Sequence, residues 1–81
     1  MLTNEELKKR LRGIEGVQEV LVEGDGYHYE LTIVSDLFLG LAKIKRQQWV
    51  YAQLKNEITS GTLHALSMKT WTVNEWEKQH G

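Results

Sequence analysis

The fold turns on the stretch Val17-Gln18-Glu19-Val20-Leu21-Val22-Glu23-Gly24-Asp25-Gly26-Tyr27-His28-Tyr29-Glu30-Leu31-Thr32-Ile33-Val34. Gly24-Asp25-Gly26 is strong turn chemistry, because glycine tolerates positive φ and Asp supports a tight loop. The flanking runs alternate with a period of two, which predicts strands over Val17–Glu23 and Tyr27–Val34 joined as an antiparallel hairpin. Val20 and Val22 share one face of the first strand, with Glu19, Leu21 and Glu23 on the other. In the second strand Tyr29, Leu31 and Ile33 point to the core, and His28, Glu30 and Thr32 away from it. One face of this hairpin is therefore polar, as in an antiparallel sheet covered on one side.

Upstream of the hairpin, Thr3 and Glu6 form a T-x-x-E capping box that opens a helix. Leu7, Leu11 and Ile14 follow at helical spacing, while Lys8, Lys9, Arg10 and Arg12 face water. These bases suit the negative end of the helix dipole, and Gly13 or Gly16 ends the helix. Downstream, Ser35-Asp36 starts a turn, and Leu37-Phe38-Leu39 is too apolar to lie in solvent before Gly40 interrupts it. A long helix is predicted from Ala42 to Thr59, with Ile44, Val50, Tyr51, Leu54 and Ile58 as its buried stripe. Trp49 falls off that stripe, beside Lys45 and Gln53. Ser60-Gly61 ends the helix, Leu63 to Trp71 is a third strand, and Leu66 and Met68 share a face with His64. Thr72 and Glu75 form a second capping box for a short helix carrying Trp76.

The order is α-β-β-α-α-β-α. A helical connection makes the second and third strands parallel through a right-handed crossover. The prediction is one α+β domain over residues 1–81, a three-stranded mixed sheet with helices on one face. A chain of 81 residues buries only about 60% of its unfolded surface, and with no Cys it has no disulfide to assist. Hydrophobic content of 41%, seven glycines and no proline suit a packed fold. A net charge of -1 argues against a dedicated nucleic-acid binder. The polar start Met1-Leu2-Thr3-Asn4-Glu5-Glu6 has no apolar region behind it, and no apolar run has the length of a membrane span. A soluble, cytoplasmic protein with no membrane contact is expected.

Four groups of residues carry chemistry. His64 lies in Leu63-His64-Ala65-Leu66-Ser67-Met68 and is either a histidine hydrogen-bonded to backbone or a metal ligand through neutral imidazole. One histidine does not hold a metal tightly, so further ligands would come from His28, from the Gly24-Asp25-Gly26 loop or from a second protein. His28, on the less buried strand face, reads on its own as a surface histidine, and His80 carries little weight next to the last residue. No two histidines have the spacing that zinc sites favour, which argues against an autonomous metal site. Lys43, Lys45 and Arg46 gather near Trp49 at the start of the long helix, a surface for phosphates or for a protein partner. Three or four bases would give weak, salt-dependent nucleic-acid binding. No Ser lies in a His-acid context, no Cys exists, and Gly24-Asp25-Gly26 lacks phosphate-loop spacing, so the case for an enzyme is poor.

In chain order, the blocks Gly24-Asp25-Gly26-Tyr27-His28-Tyr29, Val34-Ser35-Asp36-Leu37-Phe38-Leu39-Gly40, Lys45-Arg46-Gln47-Gln48-Trp49-Val50-Tyr51, His64-Ala65-Leu66 and Thr72-Val73-Asn74-Glu75-Trp76 resemble the BolA family over nearly the whole chain. The glutamine pair before Val50-Tyr51 looks like its IbaG branch. The resemblance implies a class II KH-like fold. It also implies a partner of monothiol glutaredoxins that co-ligates a [2Fe–2S] cluster and acts in iron–sulfur trafficking or iron-linked regulation. The family's histidine ligand falls on His64, with thiolates supplied by the glutaredoxin and its glutathione. Many relatives carry a second ligand, Cys or His, in the first hairpin loop. Here that position offers Asp25, His28, or none. The isolated chain, a monomer or weak homodimer, is expected to bind no cluster tightly. The alternative is a nucleic-acid-binding regulator using Lys43, Lys45, Arg46 and Trp49.

Overall fold

A computed structural model describes residues 2–80, with His80 described in its backbone only, so the reading of His80 lies outside the described side chains. Helix α1 spans Asn4–Arg12, and strands β1 and β2 span Val17–Gly24 and His28–Ser35. A 3-10 turn at Asp36–Phe38 leads to α2 (Lys43–Gln53) and α3 (Lys55–Thr59), then to β3 (Ala65–Trp71) and α4 (Val73–His80). The sheet order is β1-β2-β3, with β1 antiparallel and β3 parallel to β2. The architecture is the small α+β domain with a mixed sheet that the sequence predicts.

Both capping boxes form. Thr3 Oγ1 accepts from Glu6 N at 3.1 Å while Glu6 Oε1 accepts from Thr3 N at 3.0 Å. Thr72 and Glu75 repeat the exchange at 3.2 and 2.8 Å, opening α4. Each box satisfies two backbone donors that a helix start would leave bare. The core lies on one sheet face, where Val20, Tyr29, Leu31 and Ile33 meet Leu7 and Leu11 of α1 and Val50 of α2, with Leu54 just beyond it. Leu21, Glu23, Glu30, Ser67 and Lys69 remain exposed on the opposite face.

The second half of the helical connection departs from expectation. The long helix breaks at Leu54, whose φ of -111 and ψ of 15 lie off the α region. No glycine or proline causes the break. The Gln53 carbonyl, which a continuous helix would offer to the residue four ahead, accepts instead from Arg10 Nη2 at 3.1 Å, and Arg10 also pairs with Glu57. The buried stripe is rotated as well. Ile44, Tyr51 and Ile58 are exposed, while Arg46, Val50 and Leu54 at intervals of four residues turn inward. Of Leu37-Phe38-Leu39 only Phe38 is buried; Leu37 and Leu39 stay in solvent. Ser35 fixes this corner, its hydroxyl donating to Gly16 O at 2.7 Å and accepting from Leu37 N at 3.0 Å.

Strand β3 begins at Ala65, two residues later than the sequence suggests. Leu63 is buried before the strand starts, its N–H donating to Glu57 O at 3.0 Å. His64 therefore sits just outside the sheet, between a buried leucine and the first paired residue.

Candidate functional site

The parallel register pairs His28 with Ala65 and Tyr29 with Leu66, which sets Tyr27 beside His64 one step beyond the last pair. The Ala65 N–H donates to Tyr27 O at 3.3 Å and closes this end of the ladder. Tyr27 and His64 each lie two residues before a core-side position, Tyr29 and Leu66, yet both are exposed. Their rings stack on each other, with centroids 5.2 Å apart and planes 20° from parallel.

The hairpin loop is shaped by Asp25. Its Oδ1 accepts from the backbone N–H groups of Tyr27 and His28, both at 2.9 Å, and Asp25 N donates to His28 O at 3.3 Å. The donors from His28 and Tyr27 hold the Asp25 carboxyl below the usual carboxylate range. Gly24 at φ 138 takes a conformation closed to other residues, and a Cβ there would run into His28 O. With Gly61 and Thr62 from the loop after α3, Asp25, Gly26, Tyr27 and His64 line an open cleft of about 260 Å³.

His28 lies elsewhere. As the next residue after Tyr27 it points to the opposite sheet face, where its Nε2 is 3.2 Å from Ser67 Oγ. Of the residues considered beside His64, the fold brings Asp25 into the same cleft and turns His28 away. Among the described residues, no group of three His, Cys, Asp or Glu side chains is placed to hold a metal ion. In this cleft the imidazole of His64 and the carboxylate of Asp25 are the metal-ligating side chains present.

Of the basic residues predicted at the start of α2, Lys43 and Lys45 lie at the surface and Arg46 turns inward. Arg46 is buried, donating from Nε to Leu41 O at 2.9 Å, from Nη1 to Thr70 O at 3.2 Å and to Glu75 Oε1, and from Nη2 to Glu75 Oε2. The Arg46 guanidinium and the Thr72 N–H lower the Glu75 pKa to about 2. Trp49 is half-buried, edge-on to Phe38 at 5.6 Å, rather than exposed. Lys45 is exposed as expected, and Lys43 extends over the Trp71 ring at 5.8 Å. Sequence reasoning missed Tyr27 as a site residue. The only available signal was its core-side parity at the mouth of a strand, and the partner that gives it meaning arrives through the crossover.

Residues 4–75 match the family model described as BolA-like protein. The chain belongs to the BolA-like family. It is 38% identical over 77 residues to the Acid stress protein IbaG of Escherichia coli K12, covering 95% of this chain and 92% of that one. It is 29% identical over 87 residues to the DNA-binding transcriptional regulator BolA of the same organism, covering 95% of this chain and 82% of the regulator. A solved structure of a BolA protein homologue from Coxiella burnetii has a TM-score of 0.83 at 33% identity, covering 95% of this chain and 99% of that one. No described helix of this BolA-like chain is long and apolar enough to cross a membrane.

Proposed function

We propose that this BolA-like chain docks on a monothiol glutaredoxin and contributes His64 as the imidazole ligand of a shared [2Fe–2S] cluster, in iron–sulfur trafficking or iron-linked regulation. One observation carries the reading: His64 is exposed at the sheet end, and neither ring nitrogen makes a hydrogen bond to a described residue. A structural histidine has its nitrogens satisfied; a ligand keeps one available. The cluster supplies electron-transfer and iron-donating chemistry when bound. His64 presents the nitrogen, and Gly26 and Gly61, which carry no side chain, line the cleft beside it. Asp25 Oδ1 accepts from two backbone donors and shapes the loop, while its carboxylate shares the cleft with His64. His28 faces away, so His64 is the one imidazole this chain brings to the cleft.

Anaerobic co-reconstitution with a monothiol glutaredoxin and glutathione, read by absorption and circular dichroism, tests the proposal. A new spectrum that depends on this chain and disappears with His64→Ala supports it; identical spectra for wild type and His64→Ala overturn it. The alternative of nucleic-acid binding has the chain's likeness to the E. coli DNA-binding transcriptional regulator BolA behind it. Arg46 is engaged inside the fold, however, which leaves Lys43 and Lys45 for phosphates. A gel-shift series with a steep salt slope and retained sequence preference would favour that alternative.

A further inference from the structure

We propose that Tyr27 is a positioning residue for His64, its phenol ring orienting the imidazole in place of a hydrogen-bonded acceptor. This rests on the reading of His64 as the ligand. Ligating histidines generally donate their second ring N–H to a carboxylate, carbonyl or water, which fixes the tautomer and the ring plane. His64 has no such partner among the described residues; what it has is the stacked face of Tyr27. The substitution is geometrically sound. Imidazole binds a metal through a lone pair in the plane of the ring, whereas stacking engages the face of the ring. Tyr27 therefore restrains the tilt of His64 while leaving both nitrogens at the open edge.

The restraint has a firm base. The Tyr27 backbone is held on both sides, its N–H by Asp25 Oδ1 at 2.9 Å and its carbonyl by the Ala65 N–H at 3.3 Å. The second bond comes from the residue that follows His64, so the two rings are referenced to one another through a single peptide contact. Tyr27 itself is 67% exposed, so its ring serves no core. A large aromatic in solvent with one ring face against an unbonded imidazole is arranged as part of a contact surface. Asp25 acts one step further back, through the backbone of Tyr27.

The test uses the full chain with labelled histidines, and because Tyr27 is exposed its variants keep the fold. In wild type the His64 ring protons lie upfield of their positions in Tyr27→Ala, displaced by the phenol ring current, and Tyr27→Phe retains the displacement. Titrated against the same cluster-loaded partner, Tyr27→Ala weakens association about tenfold and Tyr27→Phe restores it. Coincident His64 shifts in wild type and Tyr27→Ala overturn the proposal. So does unchanged affinity in Tyr27→Ala while His64→Ala still abolishes the complex spectrum, a result that leaves the ligand reading intact. If His64→Ala itself leaves that spectrum unchanged, the ligand reading fails and the orienting role falls with it.

Discussion

The guanidinium of Arg46 donates from Nη1 to Glu75 Oε1 at 2.7 Å and from Nη2 to Oε2 at 3.3 Å, tying α2 to α4 across the end of β3. Glu75 Oε1 also accepts from Thr72 N, so the carboxylate that caps α4 is the one that neutralises the buried cation. Arg46→Ala leaves the carbonyls of Leu41 and Thr70 without their donor. We expect a loss of about 2 kcal/mol, below the value for a fully buried pair because Glu75 is half in water. Lys45→Ala, one position away in solvent, should stay within about 0.5 kcal/mol. Urea unfolding of both variants measures the contrast, and equal midpoints would contradict this account of Arg46.

The same pair predicts a pH dependence. Glu75 has a folded pKa of about 2 against an ordinary 4.5, so its ionised form is favoured in the folded state. That contribution is complete above pH 4.5 and is lost as the pH falls toward 2. Asp25 and Glu6, also lowered, act in the same direction from exposed positions. Thermal midpoints taken from pH 5 down to 2 should fall for wild type and fall less steeply for Glu75→Gln.

Gly24→Ala and Gly61→Ala should separate cleanly. Both glycines have positive φ, but only at Gly24 would the added Cβ collide with backbone, at His28 O. Gly61→Ala costs the conformational penalty alone, about 1–2 kcal/mol. Gly24→Ala adds a clash that the hairpin relieves only by moving the backbone of His28 and Tyr29. The measurement is chemical denaturation of each variant beside wild type, with the larger loss at Gly24.

His64→Ala and His28→Ala should leave unfolding within about 0.5 kcal/mol of wild type, since both side chains are exposed. Their effects on the cluster-loaded complex should differ: loss for His64→Ala, near-retention for His28→Ala. Equal losses would place both histidines at the cluster and refute the assignment of His28 to the other face.

How much of this was legible depends on whether the deciding contacts are local. The hairpin, both capping boxes and the parallel crossover rest on neighbours a few residues apart or on connection length, and the chain states them openly. The stripe of α2 was misread because periodicity sorts residues by polarity. Ile44 and Tyr51 scored as core and Arg46 as surface, yet Arg46 turns inward because Thr70 and Glu75 arrive from the far end of the chain to receive it. The break at Leu54 likewise coincides with a contact distant in sequence, from Arg10 of α1 to the Gln53 carbonyl. His64 was legible as a residue of interest, and its neighbours were not. Alternation along β2 separates Tyr27 from His28, but only the register with β3 shows which of the two lies beside His64.

That register has a consequence for when the site exists. The hairpin closes on its own short loop, and Tyr27 and Asp25 are in place as soon as it does. His64 reaches them only when the chain has crossed over and β3 has zipped alongside β2, the long-range pairing that loop-closure entropy makes slow. A chain ending before β3 carries the turn, the carboxylate and the phenol with nothing for them to orient. The imidazole is thus presented by completed molecules alone, and the ring contact at the sheet end reports that folding has finished.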